Sequence, residues 1–288
     1  MSTNIDFQKA LHAATEAAHQ GAAILMEYFN HRDELVIEHK SRNDLVSQAD
    51  KDAEKAIIAK LTQLCPEFAI IAEESQLEQG KQPESSLATW YIDPLDGTTN
   101  FLHGIPHFAV SIGLVAHKGT VLSAGMSPLT EDTPIVAVVL DPNRQELFSA
   151  YYFGGCQLNG QAIRCNKTAT LGDALLGTGL PFRDFSFEDE YDPMLKAAIH
   201  QTRGIRRNGA AALDLAWVAC GRFDAYWEMR LAPWDVAAGT LLVREAGGQV
   251  QDLYKQHPWP ITGNVIATNR LLFDDFFAML KPSLKTLP

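Results

Sequence analysis

Residues 90–101 read WYIDPLDGTTNF, an apolar run that ends in two closely spaced aspartates and a Gly-Thr-Thr segment. The run WYI is typical of a short buried strand, so Asp93 and Asp96 at its end are poorly solvated. Pro94 fixes a bend that lets both carboxylates face one pair of ions, with the carbonyl oxygen of Leu95 between them. The stretch therefore predicts a strand end that holds cations.

The residues after the second aspartate suit the binding of an anion. Gly97 allows the backbone to approach a ligand closely. Thr98 and Thr99 stand where a helix could begin, with free N–H groups and a positive dipole that can hold a phosphate. Carboxylates for metal ions beside an anion-binding turn are the parts required for metal-assisted phosphoryl transfer to water.

Three further acidic residues extend this pattern. Glu73 and Glu74 follow the apolar run FAII, and Asp235 lies in the first turn of a helix predicted from Pro233. Any one acid taken alone could be a turn or capping residue. Several carboxylates at the ends of buried strands, however, repel one another unless cations neutralise them. Because oxygen ligands occur here without a Cys/His cluster, the pattern favours Mg²⁺ over Zn²⁺.

Other familiar catalytic signatures are missing from the sequence. It contains no G-x-S-x-G elbow, no P-loop, no G-x-G-x-x-G fingerprint and no H-E-x-x-H motif. His103 and His107 have a spacing seen in metal sites, but Gly104 and Pro106 between them exclude a regular helix. We interpret these two histidines as structural or loop residues.

The chain has 288 residues and a net charge of −11, from 24 Lys and Arg against 35 Asp and Glu. An acidic balance provides no electrostatic footprint for nucleic acid or an anionic membrane, so we expect direct binding to neither. The charge has two readings: a solvated acidic surface, or carboxylates gathered into a pocket that needs cations. The acidic residues described above favour a cation-binding pocket for a few of the 35 carboxylates.

The cysteines and the hydropathy pattern indicate a compartment. The four cysteines form no C-x-x-C pair, so we expect reduced thiols. No apolar run approaches the ~18–20 residues of a membrane span, and the N-terminal residues show no signal-peptide pattern. We therefore predict a cytoplasmic protein without a membrane span.

Hydrophobic periodicity predicts two halves that share one interface and form one catalytic unit. The half over residues 1–155 is α+β and carries most of the predicted metal ligands, with helices at 6–29 and 50–64. Its β-rich runs, at 68–72, 90–92, 108–115, 121–125, 135–140 and 146–152, form an antiparallel meander. The half over residues 156–288 is α/β and supplies Asp235. It alternates helices at 190–202, 209–220, 233–246 and 269–280 with strands at 174–178, 223–227 and 263–268.

Five motifs that span nearly the whole chain resemble the inositol monophosphatase family of Mg²⁺-dependent, lithium-sensitive phosphatases. They are NDLVSQAD (Asn43–Asp50), AEES (Ala72–Ser75), WYIDPLDGTTNF (Trp90–Phe101), GIRRNGAAALDLAWVACG (Gly204–Gly221) and PWDVAAG (Pro233–Gly239). DGTTNF is closer to the inositol phosphatase branch than to two relatives. The fructose bisphosphatase branch has serines after the glycine, and the phosphoadenosine phosphatase branch has a Lys-Glu pair. The resemblance implies a layered α-β-α-β-α sandwich and a homodimer.

The resemblance also implies a role for each predicted metal ligand. Glu73, Asp93 and the Leu95 carbonyl oxygen would hold a first Mg²⁺. Asp93, Asp96 and Asp235 would hold a second, and Glu73 would help a weaker third. The attacking water would bind the first metal and be oriented by Thr98, whose hydroxyl would pair with Asp50.

For the substrate, the resemblance implies a small phosphorylated polyol bound beside these metals. The backbone of Gly97 and Thr98 would cradle the phosphate, and Glu228 would accept hydrogen bonds from sugar hydroxyls. The implied substrate-binding set is Leu95, Asp96, Gly97, Thr98, Arg206, Gly209, Ala210, Ala211, Glu228 and Asp235.

Two departures from the family pattern leave the preferred substrate open. Ala72 stands where a glycine is common before the acid pair, and Asn208-Gly209-Ala210 differs from the animal enzymes and looks closer to bacterial members. The alternatives are fructose 1,6-bisphosphate, a nucleotide 3′-phosphate, NADP or histidinol phosphate, or a regulatory binding protein that retains the fold. Residues Lys40, Ser41 and Arg42 are read either as a mobile flap or as a solvated charge run.

Overall fold

The computed structural model describes residues 5–31, 37–41, 44–75, 86–181 and 184–285, with the backbone alone described at 37–41 and 44–47. Arg42 of the predicted flap and Asn43 of the first motif lie outside the described residues. Lys40 and Ser41 belong to a strand whose backbone pairs with the next one along the chain.

The described residues form a strand-rich first half and a second half in which helices and strands alternate. The helices are α1 (Phe7–Asn30), α2 (Gln48–Leu64), α3 (Thr98–Leu102), α4 (Glu188–Gln201), α5 (Ala211–Ala219), α6 (Pro233–Glu245) and α7 (Phe273–Leu280). The first nine strands are β1 (Ile37–Ser41), β2 (Asp44–Ser47), β3 (Ala69–Ala72), β4 (Ala88–Asp96), β5 (Ala109–Ala116), β6 (Thr133–Asp141), β7 (Glu146–Tyr151), β8 (Gly155–Leu158) and β9 (Gln161–Ile163). The remaining strands are β10 (Leu175–Thr178), β11 (Gly204–Arg206), β12 (Ala225–Glu228), β13 (Gly248–Asp252) and β14 (Val265–Asn269).

A seven-stranded sheet contains the central stretch of sequence. Its strand order is β3-β4-β5-β6-β7-β8-β9, and every pair is antiparallel except β3 with β4. Strand β6 shows that both faces are covered: Val136 and Val138 pack in the core with α1 and α2, whereas Ala137 and Val139 pack in the core with α5 and α6. This alternation follows from the two-residue period of a strand.

A five-stranded sheet, in the order β11-β10-β12-β14-β13, lies on the other side of α5 and α6. Its far face packs against α4 and α7 through Met194, Trp227 and Phe276. The layers are therefore α1 and α2, the larger sheet, α5 and α6, the smaller sheet, and α4 and α7. This arrangement confirms the predicted α-β-α-β-α sandwich.

Small residues set the distance between the middle layers. A Cβ atom on Gly113 of β5 would lie 2.8 Å from the backbone nitrogen of Ala238 and 2.9 Å from the Cβ of Ala237. Real Cβ atoms do not come so close to other heavy atoms, so any larger residue at position 113 would push α6 off the sheet. Helix α6 consequently lies against β5, and its N-terminus reaches the sheet edge where β4 ends.

Two predicted elements differ from the structure. The strand predicted at Val121–Gly125 is wrong: these residues form bends and a turn, and Gly125 has φ +87°. The helix predicted at 269–280 begins only at Phe273, because Asn269 ends β14 and its side-chain oxygen accepts the N–H groups of Leu271 and Leu272. Strands β1, β2, β8, β9, β11 and β13 were not predicted.

The structure also shows the state of the cysteines and the character of the helices. All four cysteines are free thiols, and burial raises the pKa of Cys65 to about 11. Among the helices of the described residues, none combines the length and the apolarity that a membrane crossing requires.

Candidate active site

The paired ends of β3 and β4 bring the first acidic residues together. Ala72 lies opposite Ile92 in this parallel pair, and the N–H of Glu73 donates to the carbonyl of Ile92 at 3.1 Å. Glu73 therefore leaves β3 beside Asp93. The register of β4 with β5 shifts between Asp93 and Asp96, as in a β-bulge, and such bulges re-aim side chains.

Helix α6 carries Asp235 to the same place. Pro233 is the first residue of α6, and the Asp235 carboxylate accepts the N–H of Ala232 at 2.7 Å, which fixes the side chain at the helix N-terminus. Asp235 raises the pKa of Asp93, so the two carboxylates lie within electrostatic reach. The long-range partner predicted from sequence thus lies near the strand end.

Burial and like charge make this cluster electrostatically unfavourable when ionised. Asp93 is 2% exposed, and its pKa is raised well above its ordinary value by burial and by the neighbouring Glu73, Asp96 and Asp235. Burial also raises the pKa of Asp96 to about 7, although the N–H groups of Ala212 and Ala211 act in the opposite direction. A set of this kind gains most from a bound positive charge.

The side chains fit a hard divalent cation. All of the atoms available to bind a metal here are oxygens. Backbone N–H groups orient the aspartates: that of Leu95 donates to Asp93 at 2.9 Å, and those of Ala211 and Ala212 donate to Asp96 at 3.1 and 2.8 Å. Further lone pairs stay available, because a carboxylate has about four acceptor positions. Within the described part of the chain, no three His, Cys, Asp or Glu side chains are already arranged as a preformed metal site.

The Gly97–Thr98 turn begins α3 next to the acids. Gly97 has φ +97°, and a Cβ there would lie 3.1 Å from the carbonyl oxygen of His107, so glycine is needed for both conformation and space. The Thr98 hydroxyl donates to the Leu95 carbonyl at 3.1 Å and lies 3.4 Å from a carboxylate oxygen of Asp50. Asp50 is buried on α2 behind Thr98.

Glu228 ends β12 on the opposite wall. Its carboxylate accepts the hydroxyl of Tyr226, and burial raises its pKa to about 7, with Tyr226 and Arg207 opposing the rise. Gly179, just after β10, makes room for this side chain, because a Cβ at that position would overlap the Glu228 carboxylate. Sequence reasoning missed Gly179, since its partner lies on a different strand.

One cavity of about 270 Å³ joins these residues. Of the residues predicted for the site, it is lined by Glu73, Asp93, Leu95, Asp96, Gly97, Thr98, Gly209, Ala210, Ala211, Glu228 and Asp235. Asp50 does not line it and reaches it through Thr98.

Arg206 lies away from the cavity, contrary to the prediction. It is the exposed last residue of β11, and its guanidinium donates to the carbonyl of Ile205 at 3.0 Å. Arg207 lines the cavity instead, with its guanidinium packed over Gly209. Neighbouring residues of an extended segment point to opposite sides, so one of two adjacent arginines had to face away. The sequence pattern alone did not indicate which.

The histidines behave as loop residues. His107 is buried, and its pKa is lowered to about 4, first by burial and then by Arg144. Its carbonyl oxygen accepts the side-chain amide of Asn100 at 2.8 Å, and the same amide donates to the carbonyl of Asn208 at 2.8 Å. These bonds join α3 to the loop before α5.

Comparisons with known proteins show the family of the chain and its fold. A family model described as the inositol monophosphatase family matches residues 6–280. The chain is 42% identical over 279 residues to a Nus factor SuhB of Pseudomonas aeruginosa, which covers 96% of this chain and 97% of the relative. It is 43% identical over 267 residues to an inositol-1-monophosphatase of Synechocystis, and the match covers 92% of this chain and 86% of the relative. The crystal structure of extragenic suppressor protein suhB from Bartonella henselae superimposes with a TM-score of 0.83 at 36% identity, covering 95% and 98%.

Proposed function

The chain belongs to the inositol monophosphatase family, and on this premise we propose that it is a Mg²⁺-dependent phosphatase of inositol monophosphates and related polyol phosphates. The observation that carries the proposal is the convergence of Glu73, Asp93, Asp96 and Asp235 on a cavity that begins at the Gly97–Thr98 turn. Buried carboxylates that lie this close together repel one another when ionised, so a bound cation would stabilise the cluster.

The proposed metal ligands divide into two sets. Glu73, Asp93 and the Leu95 carbonyl oxygen would hold one Mg²⁺, and Asp93, Asp96 and Asp235 would hold a second, with Glu73 helping a weaker third. Bound Mg²⁺ would neutralise the phosphate charge and activate the attacking water.

The residues of the chain then bind and orient the reactants. The N–H groups of Gly97 and Thr98 would hold phosphate oxygens at the start of α3. The Thr98 hydroxyl, which lies beside the Asp50 carboxylate, would form a hydrogen bond with the attacking water and so direct the water at phosphorus. Glu228 would accept hydrogen bonds from polyol hydroxyls, while Gly209, Ala210 and Ala211 form a wall with small side chains.

A substrate panel tests the proposed reaction. Phosphate release would be measured with Mg²⁺ on inositol 1-phosphate, fructose 1,6-bisphosphate, a nucleotide 3′-phosphate, NADP and histidinol phosphate. We expect a kcat/KM for inositol 1-phosphate at least about tenfold above a nucleotide 3′-phosphate, a ratio that one or two lost hydrogen bonds explain. Comparable rates on every substrate would contradict the assignment to polyol phosphates. If phosphate were released from none of the substrates, the proposed phosphatase activity itself would be contradicted.

The position of Glu228 gives a second prediction. Gly179→Ala should lower kcat/KM for inositol 1-phosphate by about tenfold or more, because the new methyl group displaces the carboxylate that receives the polyol hydroxyls. Gly172→Ala is the matched control, since a Cβ at Gly172 meets nothing within 4 Å. Equal kcat/KM values for the two variants would contradict the role of Glu228 in binding the substrate.

A regulatory role is the second candidate function. It is supported by the similarity, over 96% of the chain, to a protein named a Nus factor, which suggests RNA polymerase or nucleic acid as a partner. Loss of phosphatase activity by Asp93→Asn with unchanged binding to purified RNA polymerase would support this role. Absence of binding by the unmodified protein would contradict it.

We also propose that the halves over residues 1–155 and 156–288 act as one catalytic unit and that the protein is a homodimer. The cavity supports the first proposal, because Asp93 and Asp235 come from different halves. Light scattering coupled to gel filtration measures the second directly.

A further inference from the structure

Arg230 has an unusual backbone conformation for its residue type. Its φ is +64°, in the left-handed region that any side chain with a Cβ atom disfavours. The described non-glycine residues in this region are Gln145, Phe153, Asn159, Arg230 and Lys255, and Arg230 alone among them lines the candidate active site. Strain of this kind at a cavity suggests that the side chain has a use there.

Two hydrogen bonds hold this conformation. The N–H of Arg230 donates to the side-chain oxygen of Asn264 at 3.2 Å, and the N–H of Leu231 donates to the carbonyl of Gly263 at 3.2 Å. Gly263 fits closely against Leu231, since a Cβ at position 263 would overlap the Leu231 backbone. The direction in which the Arg230 side chain leaves the backbone is therefore set by the fold.

The guanidinium of Arg230 has no hydrogen-bond or ion-pair partner at contact distance within the described part of the chain, although Asp184 and Tyr254 lie within its electrostatic reach. Arg230 is exposed at the cavity rim, and it forms neither a side-chain hydrogen bond nor an ion pair with a described residue. Asp184 lines the same rim, but its two carboxylate oxygens accept the N–H and the hydroxyl of Ser186, each at 2.9 Å. A positive group is thus available at the mouth of a cavity whose base is acidic.

The cavity therefore has only acidic ligand candidates at its base, whereas its rim has both the Arg230 guanidinium and the Asp184 carboxylate. Asp93 and Asp96 are buried at the base, Glu228 and Arg207 lie on the wall, and Arg230 is exposed at the rim. A substrate phosphate held at the base through cations leaves the alcohol part directed toward the rim. A neutral polyol offers Arg230 only hydroxyl oxygens, whereas a phosphate or carboxylate offers an opposite charge and two oxygens that a guanidinium can bind in parallel.

We propose that Arg230 is a specificity-determining residue that binds a second anionic group, a phosphate or a carboxylate, on the alcohol part of the substrate. The inference rests on the proposed phosphatase function and concerns the related polyol phosphates, among which those with a second anionic group would gain a contact that inositol 1-phosphate lacks. Phosphate monoesters that carry such a group would be preferred over neutral analogues of the same size.

Matched substrate pairs test the role of Arg230. One pair is fructose 1,6-bisphosphate with fructose 1-phosphate, and the other is 2-phosphoglycerate with glycerol 2-phosphate. For each pair, the ratio is kcat/KM for the substrate with the second anionic group divided by kcat/KM for the substrate without it. In Arg230→Gly this ratio should fall about tenfold in at least one pair, as expected for one exposed charge-assisted hydrogen bond. The glycine also relieves the backbone, so this variant should fold.

Lys255→Gly is the matched control, because it removes the same charge and the same positive-φ side chain outside the cavity lining. A fall in the first pair alone identifies phosphate as the second anion, and a fall in the second pair alone identifies carboxylate. Unchanged ratios in both pairs, or an equal fall in Lys255→Gly, would overturn the proposal. The same ratios of Kd, measured calorimetrically with Ca²⁺, decide the matter even if the protein hydrolyses none of these compounds. A failure to hydrolyse any of these compounds would count against the proposed function but not against the role of Arg230.

Discussion

Replacement of Asp93 by asparagine is expected to lower phosphate release from inositol 1-phosphate by at least about a thousandfold and to leave the fold intact. A loss of this size corresponds to about 4 kcal/mol of transition-state stabilisation. Asp93 is the acid assigned to both proposed cations, and an amide carries no charge to hold either. Asparagine keeps the shape of the side chain and an oxygen that can accept the N–H of Leu95, now at 2.9 Å.

The melting temperature separates this loss from unfolding. Asp93 is repelled by Glu73, Asp96 and Asp235. Without added metal, Asp93→Asn should therefore melt at or above the temperature of the unmodified protein. Differential scanning calorimetry and a phosphate assay on the same preparation measure both effects.

Asp252→Asn is the control with the opposite outcome. Asp252 is also buried, but it accepts hydrogen bonds from Tyr254 N–H at 2.9 Å and the Thr262 hydroxyl at 2.7 Å, and it does not line the cavity. Its replacement should lower the melting temperature and keep most of the activity. Near-normal turnover in Asp93→Asn would refute the metal assignment.

Removal of divalent cations is expected to abolish phosphate release and to lower the stability of the protein. The buried acids repel one another once ionised, so a bound cation stabilises the folded state in which they converge. A ligand present at a hundred times its Kd adds about 2.7 kcal/mol of stability, which for a chain of this length corresponds to a rise in melting temperature of roughly 4–5 °C. Calorimetry in EDTA and after addition of Mg²⁺ measures this shift.

The choice of salts makes the experiment specific. Addition of KCl at the same ionic strength controls for screening and should restore neither activity nor melting temperature. In Asp93→Asn the Mg²⁺-dependent shift should be much smaller. Millimolar Li⁺ should inhibit the Mg²⁺-supported activity, as the family resemblance implies. Full activity in EDTA, together with indifference to Li⁺, would contradict a cation-dependent mechanism.

The position of the acids was predictable from local sequence, whereas the layered fold was predicted only through the resemblance of the five motifs to a known family. An apolar run that stops at charged residues indicates where a buried strand ends, and β4 does carry Asp93 and Asp96 at its end. The segment Val121–Gly125 shows the limit of the same reasoning. Its β-propensity finds no partner strand, and propensity alone does not form a sheet.

The contacts that shape the cavity were not predictable. Gly179 matters because Glu228, on the neighbouring β12, occupies the space where its side chain would be. Arg230 matters because Asn264 and Gly263 hold its backbone in the left-handed region. Each relation joins residues that are far apart in the chain, and no local pattern encodes such pairs.

The sequence by itself determined the types of chemical group in the candidate site and the short segments that carry them. These properties depend on residue identity and on the local period of burial. Only the tertiary structure decided which group of each neighbouring pair faces the cavity, Arg207 rather than Arg206, and how Gly179 accommodates Glu228. Side-chain direction depends on the pairing and packing of whole strands and helices, which the order of residues along one segment does not specify.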